Sequence, residues 1–93
     1  HPNVGDIRGR GLLLALEFVK DRDSKEPFEP SDKLYRRIGD IAFDRGLMIY
    51  GMPGTIDGAR GDHVMLAPPY SVSATEIDRI VDLLAGAVRT ALP

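Results

Sequence analysis

Apolar and polar positions fall into blocks along the chain, and the blocks predict its elements. Leu12 to Val19 is a run of eight residues, apolar except for Glu17, set between Gly11 and the charged stretch Lys20-Asp21-Arg22-Asp23. That length and those boundaries predict a buried strand. Ahead of it, His1 to Asp6 is turn-rich, and Ile7-Arg8-Gly9-Arg10-Gly11 reads as an extended segment broken by glycine. Residues 20–30 are polar and carry Pro27 and Pro30, which predicts an exposed loop. Leu34, Ile38, Ile41 and Ala42 then form an apolar stripe at helical spacing. The helix is expected to start at Asp32 with Ser31 as its cap, and to stop at Gly46 in a left-handed conformation. Leu47-Met48-Ile49-Tyr50 reads as a second short strand, and His63 to Ala67 as a third, stopped by Pro68-Pro69. Between them, residues 51–61 hold four glycines, Pro53 and the turn signal Asp57-Gly58. Loops of that length are often functional. Ser73-Ala74-Thr75-Glu76 has the S-x-x-E pattern of a capping box. The helix after it places Ile77, Ile80, Val81, Leu84, Ala87 and Val88 on one face and runs to about Leu92.

The order β-β-α-β-β-α predicts an α+β fold. The expected architecture is a small two-layer sandwich, with a three- to four-stranded, mostly antiparallel sheet and helices on one face. The strand Leu12–Leu16 lacks polar alternation, and its Leu12–Leu14 run reads as buried on both faces. A free-standing module of this kind would leave its second sheet face unaccounted for.

Composition narrows the function classes. With 93 residues the chain makes one small domain, and 43% hydrophobic residues exclude a disordered one. No apolar run approaches the roughly 18 residues that span a membrane. A net charge of −2 argues against nucleic-acid or anionic-membrane partners. The lack of cysteine excludes disulfides, thiolate metal sites and thiol nucleophiles, and fits a reducing, cytoplasmic setting. The chain starts at His1 and shows no signal peptide, so a piece of a larger protein is expected.

Few residues suggest chemistry. There is no P-loop, no dinucleotide fingerprint and no nucleophile elbow. His1 and His63 are the only histidines, and neither has metal-ligand spacing to a partner. His63 is structural or a surface residue, or it lines a ligand site; strand alternation sets it on the face opposite its neighbour Asp62. Arg8 and Arg10 read as solvated or salt-bridged side chains at a strand end, or as anchors to another domain or a ligand carboxylate. Arg60 lies in the glycine-rich loop and is either a plain surface residue or a carboxylate binder, the recognition that guanidinium does best. Tyr50 packs, or touches a ligand. Asp21, Asp23, Glu26 and Glu29 are too scattered for paired acid–base work and read as a solvated face. Taken alone, these residues describe an α+β piece without catalytic apparatus of its own.

The blocks have a recognisable order. His1-Pro2-Asn3-Val4-Gly5-Asp6-Ile7-Arg8-Gly9-Arg10-Gly11-Leu12-Leu13 resembles the start of the C-terminal small domain of class III aminotransferases, which are pyridoxal-phosphate enzymes of fold type I. The resemblance continues through Leu14-Ala15-Leu16-Glu17-Phe18-Val19, through Arg45 to Tyr50, and through Gly61 to Pro69, and ends in the Ser-x-x-Glu-Ile-Asp helix. It covers nearly the whole chain and implies that residues 1–93 are that small domain. Pyridoxal 5′-phosphate, its Schiff-base lysine and the aspartate on its ring nitrogen would then lie in a large domain elsewhere in the parent. Lys20, Lys25 and Lys33 do not match the family's lysine motif, so the isolated piece is expected to be inactive. Its implied task is to wall one side of the active site of a homodimeric enzyme acting on small amines and keto acids. Two family arginines are missing: Met65 stands where the ornithine and acetylornithine group has one, and Tyr50 where the ω-amine and diaminopelargonate groups have one. Arg60 is the candidate replacement. Together with Tyr50 it makes the expected substrate-binding pair of an ω-amino-acid:pyruvate-like branch. The competing reading is a free-standing α+β ligand-binding or interaction module.

Overall fold

The computed structural model describes all 93 residues. Its strands are β1 (Val4–Arg10), β2 (Leu13–Phe18), β3 (Tyr50–Met52) and β4 (Asp62–Leu66), and its helices are α1 (Leu34–Asp44) and α2 (Ala74–Ala91). The strands form one antiparallel sheet in the order β1-β2-β4-β3. This is the expected α+β architecture, with four strands and both helices on the same face.

Register explains which side is covered. Leu14, Leu16 and Phe18 of β2 pair with Leu66, Val64 and Asp62 of β4, so these six side chains share one face. Leu34, Ile38 and Ala42 of α1 and Leu84, Ala87, Val88 and Ala91 of α2 close over that face. Phe18, Leu34, Ile38 and Val64 are its fully buried large side chains. Each contributes about 1.5–3 kcal/mol by leaving water.

Three expectations need correction. The first concerns the Leu12–Leu14 run, which is not buried on both faces: Leu13 is 51% and Leu14 38% exposed. Leu13 points to the face without helices, and Leu14 sits where α2 does not reach. Ile77 and Val81 of α2 are exposed for the same reason, although they continue its apolar stripe. Secondly, Leu47–Tyr50 is not a strand. Leu47 N–H reaches back to Ala42 O (2.8 Å) and Gly46 N–H to Phe43 O (3.0 Å), the paired bonds of a Schellman helix ending. Gly46 has φ 93°, a conformation that costs a residue with a Cβ about 1–2 kcal/mol. Leu47 turns into the core, Met48 turns out, and the ladder begins only at Tyr50.

The third correction is at the start of α1. Ser31 lies inside a 3-10 turn, Pro30–Asp32, and caps nothing; α1 begins at Leu34 after Lys33. The cap comes instead from across the fold. Tyr35 N–H donates to Asp62 Oδ1 at 3.0 Å, so a buried carboxylate on β4 serves the first turn of α1. At α2 the expected capping box is present. Glu76 N–H donates to Ser73 Oγ (3.1 Å) and Ser73 N–H to Glu76 Oε1 (3.0 Å).

Candidate functional site

Alternation sends the remaining strand side chains to the uncovered face, where they form two rows across the sheet. One row runs Asp6, Glu17, His63, Met52, and the other Arg8, Ala15, Met65, Tyr50. Arg8 joins the rows by ion pairs to Asp6 (2.8 Å) and Glu17. The structure therefore places Arg8 in a salt-bridge cluster and leaves Arg10 without a side-chain bond. Tyr50 ends the second row, 68% exposed, on edge strand β3.

The loop between β3 and β4, residues 53–61, folds onto itself. Thr55 N–H donates to Gly61 O, Ile56 N–H to Arg60 O and Gly58 N–H to Gly54 O. A Cβ on Gly54 would lie 2.9 Å from the backbone of Gly58, so the loop closes only with glycine there. Thr55 Oγ1 meets His63 Nδ1, which ties the loop to the uncovered face. Asp62 and His63 thus point to opposite sides, as alternation predicts: one caps α1 and the other holds the loop.

Arg60 sits in this loop, its guanidinium bonded to one group in the chain. Nε donates to Asp57 Oδ2 at 2.8 Å, while Asp57 Oδ1 accepts from the N–H groups of Ala59 (3.0 Å) and Arg60 (2.8 Å). These bonds, the Arg60 N–H first among them, pull the Asp57 pKa from 3.8 down to about 2. Arg60 stays 55% exposed, and its Nη1 and Nη2 are free for a carboxylate. Tyr50 and Arg60 are not bonded to each other. They lie on successive segments, β3 and the loop that follows it. The residues that sequence reading missed are Asp57, Thr55 and Glu17. Asp57-Gly58 was legible only as a turn, because the local N–H bonds of the aspartate depend on the closed loop.

The chain's residues do not fit a pyridoxal-phosphate site. Lys20 pairs loosely with Glu29 (3.8 Å), Lys25 Nζ donates to Gly5 O, and Lys33 precedes α1 on the surface. No buried side-chain nitrogen or oxygen lacks a hydrogen-bond partner, so nothing inside awaits a phosphate or an aldehyde. No cluster of three or more His, Cys, Asp or Glu side chains could hold a metal ion. No helix is long and apolar enough to cross a membrane.

No model of a protein family matches the chain. Individual proteins do. An uncharacterized aminotransferase of Schizosaccharomyces pombe is 51% identical over 85 residues, which is 91% of this chain and 18% of that protein. The PMP-bound form of an aminotransferase from Vibrio fluvialis superposes with a TM-score of 0.85 at 33% identity, covering 98% of this chain and 18% of the other. A thermostable (S)-enantioselective ω-transaminase from Thermomicrobium roseum gives a TM-score of 0.86 at 34% identity, covering 100% and 19%. The chain thus spans about a fifth or less of the proteins it resembles, and within that span sequence and fold agree.

Proposed function

We propose that this chain, whose sequence and fold match the small C-terminal domain of aminotransferases, serves as that domain in a class III enzyme. The parent moves an amino group from an amine or amino acid to a keto acid, with pyridoxal 5′-phosphate held outside residues 1–93. The chain's part is to bind and orient. The observation that carries this reading is the uncovered sheet face, with Tyr50 at its edge and the Arg60 loop tied to it by Thr55 and His63. A face that mixes apolar and charged side chains, next to a half-exposed guanidinium, suits a wall against which an anionic substrate is aligned. Arg60 takes the carboxylate of the keto acid, and the Tyr50 ring offers an apolar surface beside it. The cofactor supplies the electron sink for the transfer.

In the full-length enzyme, Arg60→Ala should raise KM for keto-acid acceptors about tenfold or more, as loss of a charged hydrogen-bonding partner does. KM for simple amine donors should stay within about twofold, because an amine without a carboxylate never meets this group. Equal rises for both would remove Arg60 from substrate recognition.

A further inference from the structure

We propose that Asp57 is a specificity-determining positioning residue: it holds Arg60 so that its free guanidinium end is set for a carboxylate before substrate arrives. This rests on the reading of Arg60 given above. A free arginine side chain samples many rotamers, and immobilising it on binding reduces affinity. Here much of that freedom is already gone. Asp57 Oδ2 takes Nε at 2.8 Å, which fixes the direction of the planar group, while Oδ1 grips the backbone of Ala59 and Arg60 and fixes its root. The three loop bonds and the Thr55–His63 contact hold Asp57 in turn. Nη1 and Nη2 make no hydrogen bond within the chain, and a guanidinium end of that kind matches the two oxygens of a carboxylate.

The Asp57 charge also acts in the opposite sense, by repelling a bound carboxylate. Asp57 and Arg60 are each about half exposed, and water screens that repulsion. Orientation therefore outweighs repulsion, and removing the Asp57 charge should weaken keto-acid binding. An aldehyde acceptor has no carboxylate and should not sense the change.

The test uses the full-length enzyme with bound pyridoxal 5′-phosphate, and compares wild type, Asp57→Asn, Arg60→Ala and the double variant. Pyruvate is the keto-acid probe and butanal the probe without a carboxylate. Asparagine keeps an oxygen for the Ala59 and Arg60 N–H groups, so the loop stays closed while the ion pair is lost. Asp57→Asn should raise KM for pyruvate about three- to tenfold, with kcat and the butanal KM within about twofold. In the Arg60→Ala background the same change should do nothing. If Asp57→Asn leaves the pyruvate KM unchanged or lowers it while Arg60→Ala raises it, Asp57 has no positioning role and the reading of Arg60 stands. If Arg60→Ala itself leaves the pyruvate KM unchanged, the reading and the proposal both fail. An equal loss with butanal would show a purely structural role and overturn the proposal.

Discussion

Two aspartates with opposite shifts show what single residues do in this chain. Asp57 has its pKa lowered from 3.8 to about 2. A carboxyl depressed in the folded state stabilises that state above its unfolded pKa, and the contribution is lost as pH falls through the folded value. The Asp57 carboxyl signal in an NMR titration should therefore move near pH 2, with the Ala59 and Arg60 amides following it. A midpoint near 4 would mean that the loop bonds do not form in solution. Asp62 runs the other way. Burial pushes its pKa up, partly offset by the N–H of Tyr35. Its folded state therefore favours the proton, and its contribution falls as pH rises from the ordinary aspartate value. An amide side chain avoids that cost and still accepts from Tyr35. Asp62→Asn should thus match or exceed wild type in thermal stability at neutral pH. Asp62→Ala should lose about 1 kcal/mol as the cap of α1 disappears. Equal stability for the alanine variant would show that α1 needs no cap.

At the level of elements, legibility follows the range of the interactions. The α2 cap was readable because Ser73 and Glu76 are three residues apart and satisfy each other. Ser73→Ala should cost about 1 kcal/mol in denaturant unfolding, and no change would deny the box its role. The α1 cap was not readable. Its acceptor is Asp62, 27 residues from Tyr35, so the local pattern pointed to Ser31 instead. The apolar run Leu47–Tyr50 misled in a related way. Its first residue serves the helix ending, so an apolar block at strand length carried no ladder bonds before Tyr50. For the site, Arg60 and Tyr50 could be singled out by residue type and by what the resemblance lacked. The partner that orients Arg60 became visible only with the loop closed.

For the whole molecule, the telling feature is how much apolar surface stays in water. Eleven large hydrophobic side chains are exposed, and they gather in particular places. Tyr50, Met52 and Leu13 lie on the uncovered sheet face. Ile7, Leu14 and Val81 line a groove of about 890 Å³ between β1 and α2. Contiguous apolar patches of this sort mark contact surfaces. Expressed alone, the 93 residues should self-associate, with light-scattering mass rising with concentration. A monodisperse monomer would favour the free-standing module. The proposal that this chain walls the active site of an aminotransferase is tested on the full-length protein. Its visible absorbance with pyridoxal 5′-phosphate bound is measured before and after an amine donor, and again after a keto acid. A cofactor band should be lost with the amine and restored by the keto acid. A protein that shows no such band with cofactor supplied, or a band that amines leave unchanged, would contradict the proposal.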